Sequence, residues 1–257
     1  MGKNLMSEFS IAIPTHDRGE NGPKWMRELL DSIKEQTFQD LDIVVSDQSK
    51  NDNILDVCKE YSDDFDFTYV RYEGKVPCEN INTALKECTG RIIKIMFSDD
   101  LFVEETALEM IKKEYDETNC SWMFSGFCGT DDGENLYDLK VPVWTDYMLE
   151  GRNFLSSPSV VSFLNECKLE FDENLKLFLD TEFYHRMRWN YGMPHIISDV
   201  LVANRNHNER ISSHATSQYD AYFNHPAGGW MINTSELEYI QNKHKVFCQT
   251  RKYPDEN

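Results

Sequence analysis

The chain is short of the features that announce several common protein classes. It has no run approaching about 18 apolar residues, the length a membrane-spanning helix needs, so no transmembrane segment is expected. Its opening residues, MGKNLMSEFS, lack the apolar stretch of a secretory leader. Basic residues are scarce: 26 lysines and arginines stand against 45 aspartates and glutamates, a formal charge of −19. Such a field repels nucleic acid and anionic lipid, which argues against both as partners. Seven cysteines occur without any metal-binding pair spacing, and an odd number of scattered thiols reads as reduced and cytosolic. There is no G-x-G-x-x-G turn, no P-loop and no G-x-S-x-G elbow. These absences argue against nicotinamide-dependent oxidoreductases, P-loop ATPases and serine hydrolases.

What is present is an ordinary globular composition, 40% apolar and 28% charged over 257 residues. That length is enough for a full core and close to the upper size of one domain. The first 115 residues alternate strand and helix four times. Strands are expected at 9–13, 40–46, 67–72 and 92–97, and helices at 24–36, 53–61, 79–88 and 104–115. This order implies a mainly parallel sheet with helices on both faces. The pattern then loosens. Strands are expected at 121–128, 158–163 and 196–203, a turn at 131–135, and helices at 180–190 and about 235–246. The reading is one domain over 1–257. It divides at about 9–115, about 116–212 and about 213–257.

The stretch RIIKIMFSDD, 91–100, concentrates the chemistry. A short apolar strand runs directly into Asp99 and Asp100, and the carboxyl end of a strand is where α/β proteins place ligand sites. One reading is a plain turn. The other is a cation site, because paired carboxylates among apolar neighbours are costly unless a cation or hydrogen bonds satisfy them. Hard oxygen ligands suit Mg²⁺ or Mn²⁺ carrying a diphosphate. Asp47 also ends a strand, where it suits either an Asx-turn or a contact to a base or ribose. His16, Asp17 and Arg18 follow the first strand on the same edge. Asp180 opens a helix, where capping explains it as well as catalysis does, and Glu182 lies two residues on. His207 sits in a polar segment, and Lys75 and Lys94 read equally as surface charges.

Five stretches in order then resemble family 2 glycosyltransferases of the GT-A fold. FSIAIPTHDR at 9–18 resembles a strand followed by Pro-Thr-x-Asn-Arg, and SIKEQTFQDLDIVVSDQS at 32–49 resembles the stretch ending in the nucleobase aspartate. ENINTALKECTGRIIKIMFSDDLF at 79–102 resembles the segment ending in the metal and sugar-nucleotide acids, with Ser98 in place of a third acid. FDENLKLFLDTEFYHRM at 171–187 resembles the acceptor-side stretch, with Leu179 in place of its usual Glu, and NRNHNERIS at 204–212 resembles R-x-H-x-x-x-x-S.

The resemblance implies a three-layer α/β/α sandwich with a mainly parallel central sheet and an irregular C-terminal segment, in which about 9–115 is the nucleotide-binding half, about 116–212 the acceptor-side half and about 213–257 a lid and helix extension. It also implies an inverting transferase that moves a sugar from a nucleotide-sugar, a UDP-sugar first, to a hydroxyl of a glycan or glycolipid. The donor-side set is Pro14, Thr15, His16, Arg18, Asp47, Lys75, Asn82, Lys94, Ser98 and Asp99. Asp100 and His207 would hold Mn²⁺ or Mg²⁺. Asp180 would be the general base, with Glu182 in reserve, and Trp144, Tyr147 and Arg152 an acceptor wall. The expected process is surface polysaccharide or lipid-linked glycan assembly in the cytoplasm, peripheral to a membrane through partners, with a homodimer among the admissible assemblies. The competing readings are a sugar nucleotidyltransferase and a non-catalytic nucleotide-sugar or glycan-binding module.

Overall fold

A computed structural model describes residues 7–19, 21–150, 152–210 and 234–250. The first half follows the expected alternation: β1 (Phe9–Thr15), α1 (Asn21–Lys34), β2 (Leu41–Asp47), α2 (Asn53–Glu60), β3 (Phe67–Arg71), α3 (Pro77–Glu87) and β4 (Ile92–Ile95). After β5 (Leu101–Phe102) come α4 (Ala107–Thr118), β6 (Trp122–Thr130), β7 (Leu136–Lys140) and β8 (Val161–Leu164). The described chain finishes with α5 (Leu179–Tyr191), β9 (His195–Arg205) and α6 (Thr234–Thr250).

Proline explains several shifts of boundary. α1 and α3 begin earlier than the apolar periodicity suggests because Pro23 and Pro77 fall in their first turns, where no intrahelical N–H bond is lost. β1 runs on through Pro14 because pairing with β4 stops at Ala12, so the missing N–H costs no ladder bond there. At 158–160 the expected strand is instead a 3₁₀ turn, closed by the Val160 N–H donating to the Ser157 carbonyl at 3.0 Å.

All nine strands join one sheet, ordered β3-β2-β1-β4-β8-β6-β9-β5, with β7 added outside β6. The block β3-β2-β1-β4 is parallel, and β6 pairs β9 in parallel; the β8, β7 and β5 contacts are antiparallel. Parallelism is therefore a property of the first half, and the second half is mixed. The core lies on both faces of β1, β2 and β4, whose residues are nearly all fully buried. α1 packs Trp25, Met26, Leu29, Leu30 and Ile33 inward, the i, i+4 stripe its sequence shows.

β4 and β5 are adjacent in sequence but stand four places apart in the sheet. A flat sheet would separate them by roughly 19 Å at about 4.8 Å per strand. The six Cα steps from Ile95 to Leu101 reach at most about 21 Å when fully extended. They are not extended, since the Asp100 N–H folds back onto the Phe97 carbonyl at 3.0 Å. The sheet therefore curls, and the Ser98-Asp99-Asp100 turn bridges its centre to its far edge.

Among the described residues no helix is long and apolar enough to cross a membrane. α6 docks on the body of its own domain through Leu237, Ile240, Lys243 and His244. The proposed lid at 213–233 lies outside the described residues.

Candidate active site

The carboxyl ends of β1, β2 and β3 open into a cavity of about 840 Å³. His16 and Asp17 after β1, Gln48 to Asp52 after β2, and Arg71 to Lys75 after β3 line it. Its floor is organised by Asp47, which has no exposed surface. One Asp47 oxygen accepts from the Ser49 N–H at 2.8 Å and from the Ser49 hydroxyl. The other accepts from the Tyr69 hydroxyl at 2.6 Å and pairs with Arg71 at 3.2 Å. Asp47 therefore sits behind the wall rather than in it. The side chains it orients, Ser49 and Arg71, are the ones that line the cavity. The Ser49 hydroxyl in turn accepts from the Asp17 N–H at 2.7 Å, which ties the turns after β1 and β2 together.

Arg18 connects this cavity to the acid pair. It takes a positive φ of 42°, and its guanidinium lies 3.9 Å from Asp99 and donates to the Glu209 carbonyl at 3.0 Å. Gly22 allows the β1–α1 turn to close, because a Cβ there would stand 1.9 Å from the Asp17 carbonyl oxygen. Thr15 reaches across the sheet edge and donates to the Ser98 hydroxyl at 2.8 Å.

The two acids have opposite surroundings. Asp99 accepts from His207 Nε2 at 2.7 Å, and the ring Nδ1 accepts the Glu209 N–H at 3.2 Å, so the hydrogen on Nε2 faces Asp99. Burial alone would raise the Asp99 carboxyl, but the His207 hydrogen bond and the Arg18 charge outweigh it and hold it below the ordinary range. Asp100 is 5% exposed and accepts from the Arg205 N–H at 2.9 Å. Burial, then the neighbouring Asp99 charge, pushes its carboxyl up to about 7. A buried carboxylate under that pressure is a natural partner for a cation.

Among the described residues no three His, Cys, Asp or Glu side chains converge to enclose a metal unaided. The donor set fits a Mg²⁺ or Mn²⁺ that keeps most positions for phosphate and water, with one or two protein carboxylates. His207 was expected beside Asp100 as a ligand. It instead pairs with Asp99 and packs on the Trp25 ring at 4.4 Å.

Asp180 opens α5 and is partly exposed. Its oxygens accept from the Thr181 N–H at 2.7 Å and the Asn153 amide at 2.6 Å. Burial raises its carboxyl to about 6 against the pull of those two donors. Arg152 stacks on the exposed Tyr147 ring at 5.0 Å, and both side chains reach the surface. Trp144 faces inward more than expected, edge-on to Trp122 at 6.3 Å and beside Arg188.

Three expected site residues are structural. Glu182 has no exposed surface and is held by Arg186, Lys243 and His244, so it reaches neither acceptor nor base role. Lys94 is fully buried under the acid-pair turn, donating to the Ser159 carbonyl, and burial lowers its ammonium to about 7. Asn82 spends its amide on the Phe171 main chain, at 2.9 and 2.7 Å. Pro14 is buried within β1, while His16 and Lys75 line the cavity. Arg71, Ser49, Asn51 and Arg205 went unnoticed in the sequence. Arg71 had a usable signal, since it ends the third parallel strand on the same edge as Asp47.

A family model described as Glycosyl transferase family 2 matches residues 10–168, which include Asp47, Asp99 and Asp100. An uncharacterized glycosyltransferase of Rickettsia prowazekii, RP339, is 23% identical over 239 residues, 86% of this chain and 71% of its own. Glycosyltransferase GlyA of Streptococcus pneumoniae is 24% identical over 135 residues, 52% of this chain but only 19% of its own length. Among solved structures, S. aureus TarS 1-349 in complex with UDP-GlcNAc superposes with a TM-score of 0.65 at 18% identity, covering 93% of this chain and 73% of that one. The mannosyltransferase PcManGT of Pyrobaculum calidifontis, in complex with GDP-Man and Mn²⁺, gives 0.60 at 14% identity, covering 98% and 78%. At these identities the structural likeness speaks for the fold, which is GT-A. The family match, spanning more than half of the chain and both acid motifs, carries the further step: this chain belongs to glycosyl transferase family 2.

Proposed function

We propose that the protein is an inverting glycosyltransferase that moves a sugar from a nucleotide-sugar donor to a hydroxyl of a glycan or glycolipid. The observation that carries this reading is the acid pair, placed beside the cavity over β1–β3 and joined to it by Arg18. The nucleotide would occupy that cavity, with Arg71, Lys75 and His16 toward its polar edges. A UDP-sugar is the first donor to test, and a GDP-sugar the second, given the donors in the TarS and PcManGT crystals.

Asp100, with Asp99 beside it, would hold Mn²⁺ or Mg²⁺ together with the donor diphosphate. Such an ion, when bound, stabilises the negative charge that grows on the leaving phosphate. His207 and Arg18 fix the Asp99 carboxylate toward the donor. Asp180, partly exposed and with its carboxyl near 6, is suited to accept the proton of an attacking acceptor hydroxyl near neutral pH. Attack from the face opposite the diphosphate inverts the anomeric centre. Tyr147 and Arg152 present a flat, cationic surface of the kind that stacks on sugar rings.

The test is Mn²⁺-dependent nucleotide release from UDP-, GDP-, CMP- and dTDP-sugars by wild type and Asp100→Ala. Release of one nucleotide, dependent on the metal and lost in the variant, supports the reading. Folded protein that binds none of the four overturns it.

A further inference from the structure

Asp180 and the acid pair lie on different elements, and one short segment connects them by hydrogen bonds. Asn153 forks its amide, donating to Asp180 Oδ2 at 2.6 Å and to the Ser156 carbonyl at 2.9 Å. The orientation of that amide is fixed, because Asn153 Oδ1 accepts the Leu155 N–H at 2.8 Å. Only NH₂ can then face Asp180. Ser156 stands at a φ of 74°, a left-handed conformation that a residue with a Cβ rarely adopts without outside support. The support is visible. Its carbonyl also accepts from the Tyr184 hydroxyl at 3.2 Å, and its hydroxyl accepts from the Asn204 amide at 2.8 Å.

Asn204 closes the chain of contacts. Its oxygen accepts from the Ser157 hydroxyl at 2.7 Å, and the next residue, Arg205, gives its N–H to Asp100. Residues 153–157 thus grip Asp180 at one end and the neighbour of the Asp100 donor at the other. Nothing in the sequence marks this segment.

From this geometry, and resting on the transferase reading above, we propose that Asn153 is the positioning residue of the Asp180 base. It fixes one carboxylate oxygen while Thr181 fixes the other, and so sets the direction in which the free lone pairs meet an acceptor hydroxyl. A donor on the charged form also keeps that form accessible near neutral pH. The other groups facing Asp180 are Glu236 of α6, which acts in the opposite sense, and the buried Tyr184 hydroxyl. Glu236 is itself engaged by the Leu177 and Phe178 N–H groups at 3.0 and 3.1 Å.

The experiment compares wild type, Asn153→Ala and Asn153→Asp, using the four-donor panel with Mn²⁺ and water as acceptor. Asn153→Asp keeps an acceptor for the Leu155 N–H, removes both amide donations and adds a negative charge beside Asp180, so it carries the test if the alanine variant does not fold. The Asp180 carboxyl is also titrated directly by isotope-edited infrared difference spectra, with Asp180→Asn subtracted. The expected result is a midpoint moved upward by about one pH unit in Asn153→Ala and further in Asn153→Asp. The expected kcat falls about threefold at pH 6.5 in Asn153→Ala, the loss of charged fraction that a one-unit rise imposes, and further in Asn153→Asp, while the donor KM stays within about twofold. A midpoint and kcat equal to wild type in folded variants overturn the inference alone. Folded wild-type protein that binds none of the four donors overturns the transferase reading, and this inference with it.

Discussion

The Thr15 hydroxyl donates to the Ser98 hydroxyl at 2.8 Å, joining the end of β1 to the first residue of the acid-pair turn across 83 positions of sequence. Both residues are buried. Thr15→Val keeps the shape and removes the donor. The expected cost is about 1 kcal/mol of stability, read by urea denaturation. The acid pair should also be less well placed, raising the donor KM a few-fold. A KM unchanged in the variant would show that the turn holds its position without this bond.

Asp100 and His207 should separate by the size of their effects. Asp100→Asn removes the charge that would face the cation, and metal-dependent turnover should fall by about 10² or more. His207→Ala only releases Asp99, and the expected loss is nearer tenfold. Titration of activity with Mn²⁺ checks this. Equal losses in the two variants would argue that His207 meets the metal itself.

Acid should loosen the contact between α5 and α6. Burial works against the Glu182 carboxylate, yet His244, Arg186 and Lys243 together hold its carboxyl down to about 2, from an ordinary 4.5. A depressed folded value means the stabilisation is complete above about pH 4.5 and is lost as pH falls toward 2. Melting temperatures measured from pH 6 to pH 3 should therefore drop more steeply for wild type than for Glu182→Gln. At pH 7 that variant should be less stable by about 3 kcal/mol, because Lys243 and Arg186 lose a buried partner.

Gly22→Ala tests the turn after β1. With the added carbon only 1.9 Å from the Asp17 carbonyl, backbone must shift. The expected cost is about 2 kcal/mol, since overpacked sites of this kind rarely relax fully. Displacement of Asp17 and Arg18 should also weaken nucleotide binding, measured by calorimetry with UDP. Wild-type affinity and melting temperature would show that the turn adapts.

Much of this was legible in the sequence where a single local rule applied. The β1–β4 alternation was readable because its strands are continuous apolar runs and its helices carry clean i, i+4 stripes. Asp99 and Asp100 were readable because an apolar strand delivers them. β5 was missed because two residues, Leu101 and Phe102, carry no periodicity of their own and become a strand only by pairing with Val202 and Ala203. Lys94 was misread for a related reason. A lysine one residue before the end of a short strand looks like an edge charge, and only the register of β4 against β8 reveals it is sealed from solvent. Glu182 looked available until α6, some 60 residues later, supplied Lys243 and His244. Asn153 was invisible because an asparagine in a loop is common, and its meaning lies entirely in the orientation of one amide.

The curl that brings β5 beside β9 also dictates when the site can exist during synthesis. Asp99 and Asp100 leave the ribosome with the first half of the chain, yet Arg205 and His207, which satisfy them, follow more than 100 residues later. Until then the nascent turn holds two carboxylates with neither partner. The parallel block can pair early, since its contacts are comparatively local, but the reactive centre waits on contacts that span more than 100 residues. A chain cut after α4 would keep the cavity floor and Arg18 but lose Arg205 and His207, the hydrogen-bond donors to the two acids. Nucleotide recognition and bond breaking should thus be separable in a truncated chain, and competence should arrive only with its last strand.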